Sequence, residues 1–202
     1  MNGRFFIYNS CAIMGTKEKR NMKLQLTLNS LALILCCGDL IPTQLQSLTT
    51  QEWQEIEKKL KTVDKEPSMI TGMSYDTLTQ IIGIDAFTAH KITQRQTLLP
   101  DLFYALQNLE NQGIGITTIY EEDYPASLRI LGTHTPLVLS YMGDLSLSYG
   151  VNISVAGPQV MNKNMRHVTK EIMKKITQEG YTLVVGGLKG VEELALRTQL
   201  AS

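Results

Sequence analysis

The sequence has little of several features that would define a protein class at once. Its 202 residues include only three Cys and one Trp, and 19 Lys+Arg balance 19 Asp+Glu, so the net charge is zero. Three scattered Cys do not make the disulfide framework of a small secreted protein. A net charge of zero argues against a protein that holds nucleic acid by charge alone. With 43% hydrophobic residues, the chain is not disordered, and its length allows one domain or two small ones.

The chain also lacks a hydrophobic run that could span a membrane. Its most apolar stretch, Leu24 to Cys37, is too short and is interrupted by polar residues such as Gln25 and Asn29. Leu35 stands before Cys36, where a lipoprotein signal needs a small residue. We therefore interpret the stretch as a buried helix and expect a cytoplasmic protein with no membrane partner. The apolar residues at helical spacing are Leu28, Leu31, Ala32 and Leu35.

The charge is unevenly distributed along the chain. Residues 1–22 carry a net +3, residues 23–100 a net −1, residues 101–150 a net −5 and residues 151–202 a net +3. The last quarter is therefore basic within a neutral protein, which is compatible with an anionic ligand there.

The hydrophobic pattern divides the chain into three regions. Residues 1–21 are interpreted as an extension, with Met22 as a candidate start, and residues 22–112 have a helical period. Residues 113–202 alternate strands with helices, which predicts an α/β fold with parallel βαβ pairing. The predicted strands are Ile114–Tyr120, Pro136–Tyr141, Val151–Ala156 and Tyr181–Val185, and the predicted helices of this region run over about 162–179 and 190–200.

Two glycine-containing segments follow predicted strands. One contains Gly157, Pro158 and Gln159, and the other runs Gly186-Gly187-Leu188-Lys189-Gly190. Open α/β sheets bind ligands at the carboxyl ends of their strands, where helix N-termini attract anions. The segments therefore indicate a site for a phosphate or a nucleic-acid backbone. The alternative is that these glycines only make tight turns.

Cations near these segments are further candidates for phosphate binding. Lys163, Arg166 and Lys189 lie close to the glycines in sequence. Three other lysines, Lys170, Lys174 and Lys175, are interpreted as the solvated face of a helix whose apolar face is Met165, Val168, Ile172 and Ile176.

The sequence gives no reason to expect a metal, a cofactor or a catalytic triad. His90, His134 and His167 are far apart, and none has a nucleophile or carboxylate at a motif spacing. The adjacent pair Cys36-Cys37 does not form a Cys-x-x-Cys site.

Four ordered motifs in the second half of the chain resemble those of the DNA-processing protein DprA (Smf) family. They are Asp123-Tyr124-Pro125-Ala126-Ser127-Leu128, then Pro136-Leu137-Val138-Leu139-Ser140-Tyr141-Met142-Gly143-Asp144, then Ala156-Gly157-Pro158-Gln159, and last Val185-Gly186-Gly187-Leu188-Lys189-Gly190-Val191-Glu192. The chain is similar to the family's N-terminal helical region and to the first part of its Rossmann-like domain. Pro158-Gln159 replaces the family's Ser-Arg, Val185 replaces a Ser and Glu192 replaces an Asp.

The resemblance implies a recombination mediator that binds single-stranded DNA and assists loading of a RecA-type recombinase during DNA uptake and recombination, without catalysing a reaction. Candidate partners are single-stranded DNA, a RecA-type recombinase and a second copy of the chain. The candidate DNA- or phosphate-binding residues are Gly157, Pro158, Gln159, Lys163, Arg166, Gly186, Gly187, Lys189 and Gly190.

Two alternatives remain open. One is a nucleotide-binding enzyme of the phosphoribohydrolase type, for which Glu192 and Glu193 are candidates; the companion Arg that such a site needs is not in the matching place, and Arg197 lies one turn along. The other is a truncated remnant of the family that no longer binds DNA, because the chain ends twelve residues after Gly190 and the family's sheet continues further. An incomplete parallel sheet of this kind would expose an edge strand.

Overall fold

A computed structural model describes residues 5–6, 12–14 and 26–201, with the first two segments described by their backbone alone. The chain forms two compact units. Unit 1 combines residues 1–20 with residues 140–202, and unit 2 contains residues 21–139. The fold is of the α/β class, as the sequence predicted.

Unit 2 is mainly helical. Its helices and strands in chain order are α1 (Leu28–Cys37), α2 (Thr50–Thr62), a 3₁₀-helix (Pro67–Gly72), a single π-helical turn (Thr77–Ile81), α3 (Ala86–Gln96), α4 (Leu99–Asn111), β3 (Ile114–Thr118), α5 (Ala126–Arg129), a 3₁₀-turn (Gly132–His134) and the first two residues of β4 (Val138–Met142). The residue after β3 pairs with the residue before β4: the Ile119 N–H donates to the Leu137 carbonyl at 3.2 Å.

Helix α2 begins at a local capping motif. The Thr49 hydroxyl accepts from the Glu52 N–H at 3.2 Å, and the Glu52 carboxylate accepts from the Thr49 N–H at 2.7 Å. This capping box satisfies two N–H groups that the helix itself cannot pair. Trp53, Ile56 and Leu60 then fall on one face and are buried.

Helix α1 has no charged residue of its own, and both of its ends are completed by distant residues. At its N-terminus, the Glu121 carboxylate accepts from the Thr27 N–H at 2.8 Å and from the Ser30 hydroxyl. At its C-terminus, the guanidinium of Arg95 donates to the Leu35 carbonyl at 2.6 Å. A negative group at the first turn and a positive group at the last turn both match the helix dipole. Of the apolar residues predicted to share a face, Ala32 and Leu35 are buried and Leu28 is 72% exposed.

Unit 1 is built on parallel strands. Its elements are β1 (Phe5–Phe6), β2 (Ala12–Met14), the end of β4, a 3₁₀-helix (Leu145–Tyr149), β5 (Asn152–Ser154), α6 (Lys163–Gln178), β6 (Thr182–Val185) and α7 (Val191–Leu200). One sheet has the order β1-β6-β5 with parallel pairing throughout. Strand β2 pairs in parallel with residues 140–142 of β4. The predicted parallel βαβ unit is thus formed by β5, α6 and β6, whereas the sequence did not predict the two strands in residues 1–21.

The buried face of α6 differs from the predicted one. Thr169, Met173 and Ile176 are buried, whereas Val168 is 45% and Ile172 is 50% exposed. The predicted apolar face was therefore wrong for Val168 and Ile172 and right for Ile176, because the hydrophobic pattern excluded a threonine from the core. Thr169 can be buried since its hydroxyl donates to the Met165 carbonyl at 2.8 Å. The core of this unit consists of Met173, Ile176, Leu183, Val185 and Ala195.

The change of sequence pattern and the boundary between the units fall at different places. The sequence pattern changes at Gly113, which follows α4 with a positive φ of 73°. The compact units divide between residues 139 and 140, so β3 and α5 belong to unit 2. A division into 1–21, 22–112 and 113–202 stays a prediction about sequence character. Among the described residues, no helix is long and apolar enough to cross a membrane.

Candidate nucleic-acid interface

Both predicted glycine segments leave the same edge of the sheet in unit 1. Strands β5 and β6 are parallel neighbours, with Ser154 opposite Val184, and the Val155 N–H donates to the Val184 carbonyl at 3.1 Å. The two connections that follow are the β5–α6 turn (residues 155–162) and the β6–α7 turn (residues 186–190). Because parallel neighbours present their carboxyl ends together, the turns lie side by side.

The two turns are in direct backbone contact. A Cβ on Gly190 would lie 2.4 Å from the Pro158 carbonyl oxygen and 2.5 Å from the Gln159 Cα. The same Pro158 carbonyl accepts from the Val191 N–H at 3.3 Å. The structure therefore brings Pro158, Gln159 and Gly190 together.

Other glycines of the turns also have structural reasons to be there. A Cβ on Gly157 would lie 2.8 Å from the Val191 side chain, and one on Gly186 would lie 3.1 Å from the Glu192 carboxylate. Gly187 has a φ of 77°, a conformation that favours glycine. The interpretation that these glycines make tight turns is thus supported by contacts, and a phosphate is not needed to explain them.

The N-terminus of α7 is largely satisfied by the protein itself. The Val191 N–H donates to the Pro158 carbonyl, and the Glu193 N–H donates to the Leu188 carbonyl at 3.1 Å. The Leu188 N–H in turn donates to the Glu192 carboxylate at 3.3 Å. Val191 and Glu193 thus have acceptors, although the first N–H groups of a helix have none within the helix itself. The sequence identified Glu192 as a replaced family residue and as a candidate of the enzyme alternative, but it did not predict the position of this residue in the turn.

The N-terminus of α6 carries the exposed cations. The Asn162 side chain caps this helix by accepting from the Met165 N–H at 2.8 Å. Lys163 and Arg166 lie in its first turn, and Lys189 lies in the β6–α7 turn; all three are exposed. Within the described part of the chain, no salt bridge involves any of the three. Their charges are therefore available to a ligand.

Two other pairs of charges in α6 and α7 form salt bridges. Lys174 lies 2.9 Å from the Glu171 carboxylate, and Arg197 lies 2.8 Å from the Glu193 carboxylate. Hydrogen bonding to Lys174 lowers the pKa of Glu171. Lys170 and Lys175 are exposed, as predicted for a solvated helix face, although the apolar residues Val168 and Ile172 are exposed as well.

The Asp123-Tyr124-Pro125 motif has a structural role in unit 2. Tyr124 is buried, and its hydroxyl donates to the Pro136 carbonyl at 2.6 Å. The Asp123 carboxylate accepts from the Thr117 hydroxyl at 2.5 Å. The Arg129 guanidinium lies 5.0 Å from the centre of the Tyr124 ring. The motif therefore holds the connection between β3 and β4.

The histidines and cysteines do not form a site in the region that the structure describes. His90, His134 and His167 are exposed, and no cluster of three or more metal-binding side chains occurs among the described residues. Cys36 is buried, and burial raises the pKa of its thiol to about 12. Cys11 lies outside the described residues.

A comparison with protein families gives a match for the part of the chain that contains both turns. Residues 115–202 match the family model described as DNA recombination-mediator protein A. This match includes all four motifs and both glycine turns, so the resemblance to the DprA family is confirmed for this part of the chain.

A solved structure extends the likeness to the fold. The chain is similar to the X-ray structure of DNA processing protein A (DprA) from Streptococcus pneumoniae, with a TM-score of 0.57 and 18% sequence identity. The similarity covers 88% of this chain and 55% of that chain. The chain thus has a DprA-like fold and spans about half of that protein. A search of curated proteins gives no match.

Proposed function

We propose that the chain binds single-stranded DNA as a DprA-like recombination mediator and catalyses no reaction. The observation that carries this proposal is the position of three exposed cations, without salt bridges in the described part of the chain, at two turns that contact each other. Lys163 and Arg166 belong to the β5–α6 side, and Lys189 belongs to the β6–α7 turn. The match to a recombination-mediator family model over the same residues supports it.

The local charge favours an anionic polymer as the ligand. No acidic residue occurs between Asp144 and Glu171, a stretch that contains the whole β5–α6 turn and the start of α6. The acidic residue Glu193 of α7 is neutralised by Arg197. Phosphates that approach the β5–α6 turn therefore meet positive charge with little opposing negative charge from that turn.

The residues present favour contact with the backbone of DNA over reading of its bases. Gln159 stands where the family has an arginine, so the planar fork that binds two phosphate oxygens at once is missing at position 159. Lysines bind phosphate as point charges without this geometric specificity. We therefore expect binding that depends little on sequence and strongly on salt.

Three further parts of the proposal follow from the family. They are assistance to a RecA-type recombinase, a role in DNA uptake and recombination, and action in the cytoplasm. Self-association through the sheet of unit 1 is part of the same proposal.

The test is a titration of fluorescently labelled oligo-dT with the full chain at two salt concentrations. If the three cations each neutralise about one phosphate, raising salt from about 50 to about 200 mM should weaken binding about twentyfold. Folded protein that does not bind at low salt would overturn the proposal and favour a non-binding remnant.

The enzyme alternative is tested in parallel with a nucleoside monophosphate. Release of free base would support a phosphoribohydrolase, and its absence alongside DNA binding would support the mediator. The structure gives that alternative little support, because Glu193 and Arg197 pair with each other and Glu192 is buried against the turn.

A further inference from the structure

Glu192 is a buried carboxylate at the beginning of α7. Its side chain lies in the β6–α7 turn, and only 6% of the residue is exposed. One carboxylate oxygen accepts from the Leu188 N–H at 3.3 Å and lies 3.1 Å from the place where a Cβ on Gly186 would be. No salt bridge among the described residues involves Glu192.

A carboxylate in this position does what a bound anion would do. The N-terminus of a helix attracts negative charge through its free N–H groups and its dipole. In α7, the Val191 and Glu193 amides already have backbone acceptors, and the Glu192 carboxylate supplies a negative charge next to them. A phosphate from outside would therefore meet amides that are already paired and a charge of its own sign.

The glycine at position 186 makes room for this arrangement. Gly186 has no positive φ, so backbone conformation alone does not require glycine there. A side chain on Gly186 would approach the Glu192 carboxylate. A side chain at position 186 would therefore require the Glu192 carboxylate to shift by a few tenths of an ångström.

We propose that Glu192 is a specificity-determining residue that closes the β6–α7 turn to external phosphate and directs the DNA backbone to the β5–α6 turn. This inference rests on the proposed function and refines it. Lys163 and Arg166 then carry the direct phosphate contacts, Lys189 contributes its side-chain charge, and the backbone of Gly186 and Gly187 does not bind phosphate.

The test compares Glu192→Gln with Glu193→Gln. Both variants lose one negative charge from adjacent positions of the same helix turn, but only Glu192 fills the β6–α7 turn. A glutamine keeps an oxygen that can accept from the Leu188 N–H. Glu193→Gln is the matched control, because Glu193 is partly exposed and paired with Arg197.

The first readout needs no DNA. Thermal unfolding is measured in inorganic phosphate and in sodium chloride of equal ionic strength. An anion that binds the native state raises the melting temperature, so Glu192→Gln should gain about 3 °C more in phosphate than the wild type or Glu193→Gln gains. No gain in Glu192→Gln, or an equal gain in both variants, would overturn the inference.

The second readout is affinity for labelled oligo-dT. We expect Glu192→Gln to bind about three- to tenfold tighter than Glu193→Gln at low salt. Equal affinities of the two variants, with clear binding by the wild type, would contradict the role of Glu192 without contradicting the proposed function. If none of the three proteins binds DNA but phosphate still raises the melting temperature of Glu192→Gln, the proposed function would be contradicted and the role of Glu192 would be supported.

A measurement on the wild-type chain covers the case in which Glu192→Gln does not fold. Oligo-dT is added to ¹⁵N-labelled protein, and the amide resonances of the two turns are followed. Those of Gln159 to Lys163 should shift, and those of Gly187 and Leu188 should stay in place. The reverse pattern would contradict the proposal.

Discussion

Gly190 and the carbonyl group of Pro158 are in such close contact that a Cβ on Gly190 would lie 2.4 Å from the carbonyl oxygen. The next residue, Val191, donates its N–H to the same oxygen at 3.3 Å. Gly190 also has a φ of 100°, where any other L-residue is strained. Glycine is therefore required here for two independent reasons, and the contact holds the two turns of the candidate site together.

Gly190→Ala should lower the free energy of unfolding by about 3 kcal/mol. The new methyl group must displace backbone atoms, and the alanine must adopt a φ that is unfavourable for it. Urea unfolding followed by circular dichroism measures the loss. Gly180→Ala is the control, since Gly180 has a φ of 75° but a methyl group added there would have no atom within 4 Å. It should lose only about 1 kcal/mol, and equal losses in both variants would show that the contact with Pro158 is unimportant.

The paired change Lys163→Glu and Arg166→Glu should weaken binding of oligo-dT about tenfold or more at low salt and flatten its salt dependence, because fewer phosphates are neutralised. The matched control is Lys58→Glu with Lys65→Glu, which changes the net charge equally on residues of unit 2. The control should bind within about twofold of wild type. Equal weakening in both pairs would mean that net charge alone governs binding.

Lys189→Glu should weaken oligo-dT binding about three- to tenfold, since this exposed side chain belongs to the turn that contacts Pro158 and Gln159. Lys175→Glu reverses one charge on the exposed face of α6 and is its control. Fluorescence anisotropy at low salt compares them. An unchanged affinity of Lys189→Glu would remove Lys189 from the site.

The features that the sequence predicted correctly are those that depend on neighbours in the chain. The helical period predicted for residues 22–112 depends on nearby residues, and it matches helices α1 to α4, the last of which ends at Asn111. The bounds of α6 were close because Asn162 caps its first turn. The parallel pairing of β5 with β6 followed from the strand–helix–strand order. The motifs likewise predicted the family resemblance.

The features that the sequence missed depend on contacts between distant residues. The pairing of Phe5–Phe6 with β6 and of Ala12–Met14 with β4 joins segments that are far apart. The burial of Thr169 depends on a hydrogen bond within α6 that a hydrophobic pattern does not register. Gly157 and Gly190 lie against Val191 and Pro158, and these contacts exist only once the two turns are folded side by side. That the glycines bind phosphate stays a prediction.

Arg95 gives a prediction for unit 2. This residue is 1% exposed, and its guanidinium donates to the carbonyls of Leu35, Gly38 and Leu45. Arg95→Met should lower the free energy of unfolding by about 3 kcal/mol, because three carbonyl groups lose their donors and the C-terminus of α1 loses its positive charge. Urea unfolding again provides the measurement. Lys65→Met, at an exposed position, is the control and should change stability by about 0.5 kcal/mol or less. A loss as small as that in Arg95→Met would contradict this role.

Cys36 gives a prediction about pH. Burial raises the pKa of its thiol from 9.0 to about 12, so the native protein keeps a proton that the unfolded chain releases above about pH 9. Stability should therefore fall as pH rises from about 9 towards 12, by at most about 1.4 kcal/mol per pH unit from this group. Cys36→Ala should lack this part of the slope, and because Cys37 is present in both proteins its contribution largely cancels in the comparison.

At a pH of about 8.5, iodoacetamide should leave Cys36 of the native protein unlabelled and should label it in urea, since the thiolate is the reactive form. Labelling of native Cys36 at the rate of a free thiol, or equal pH slopes in the two proteins, would show that the thiol is not held protonated by burial.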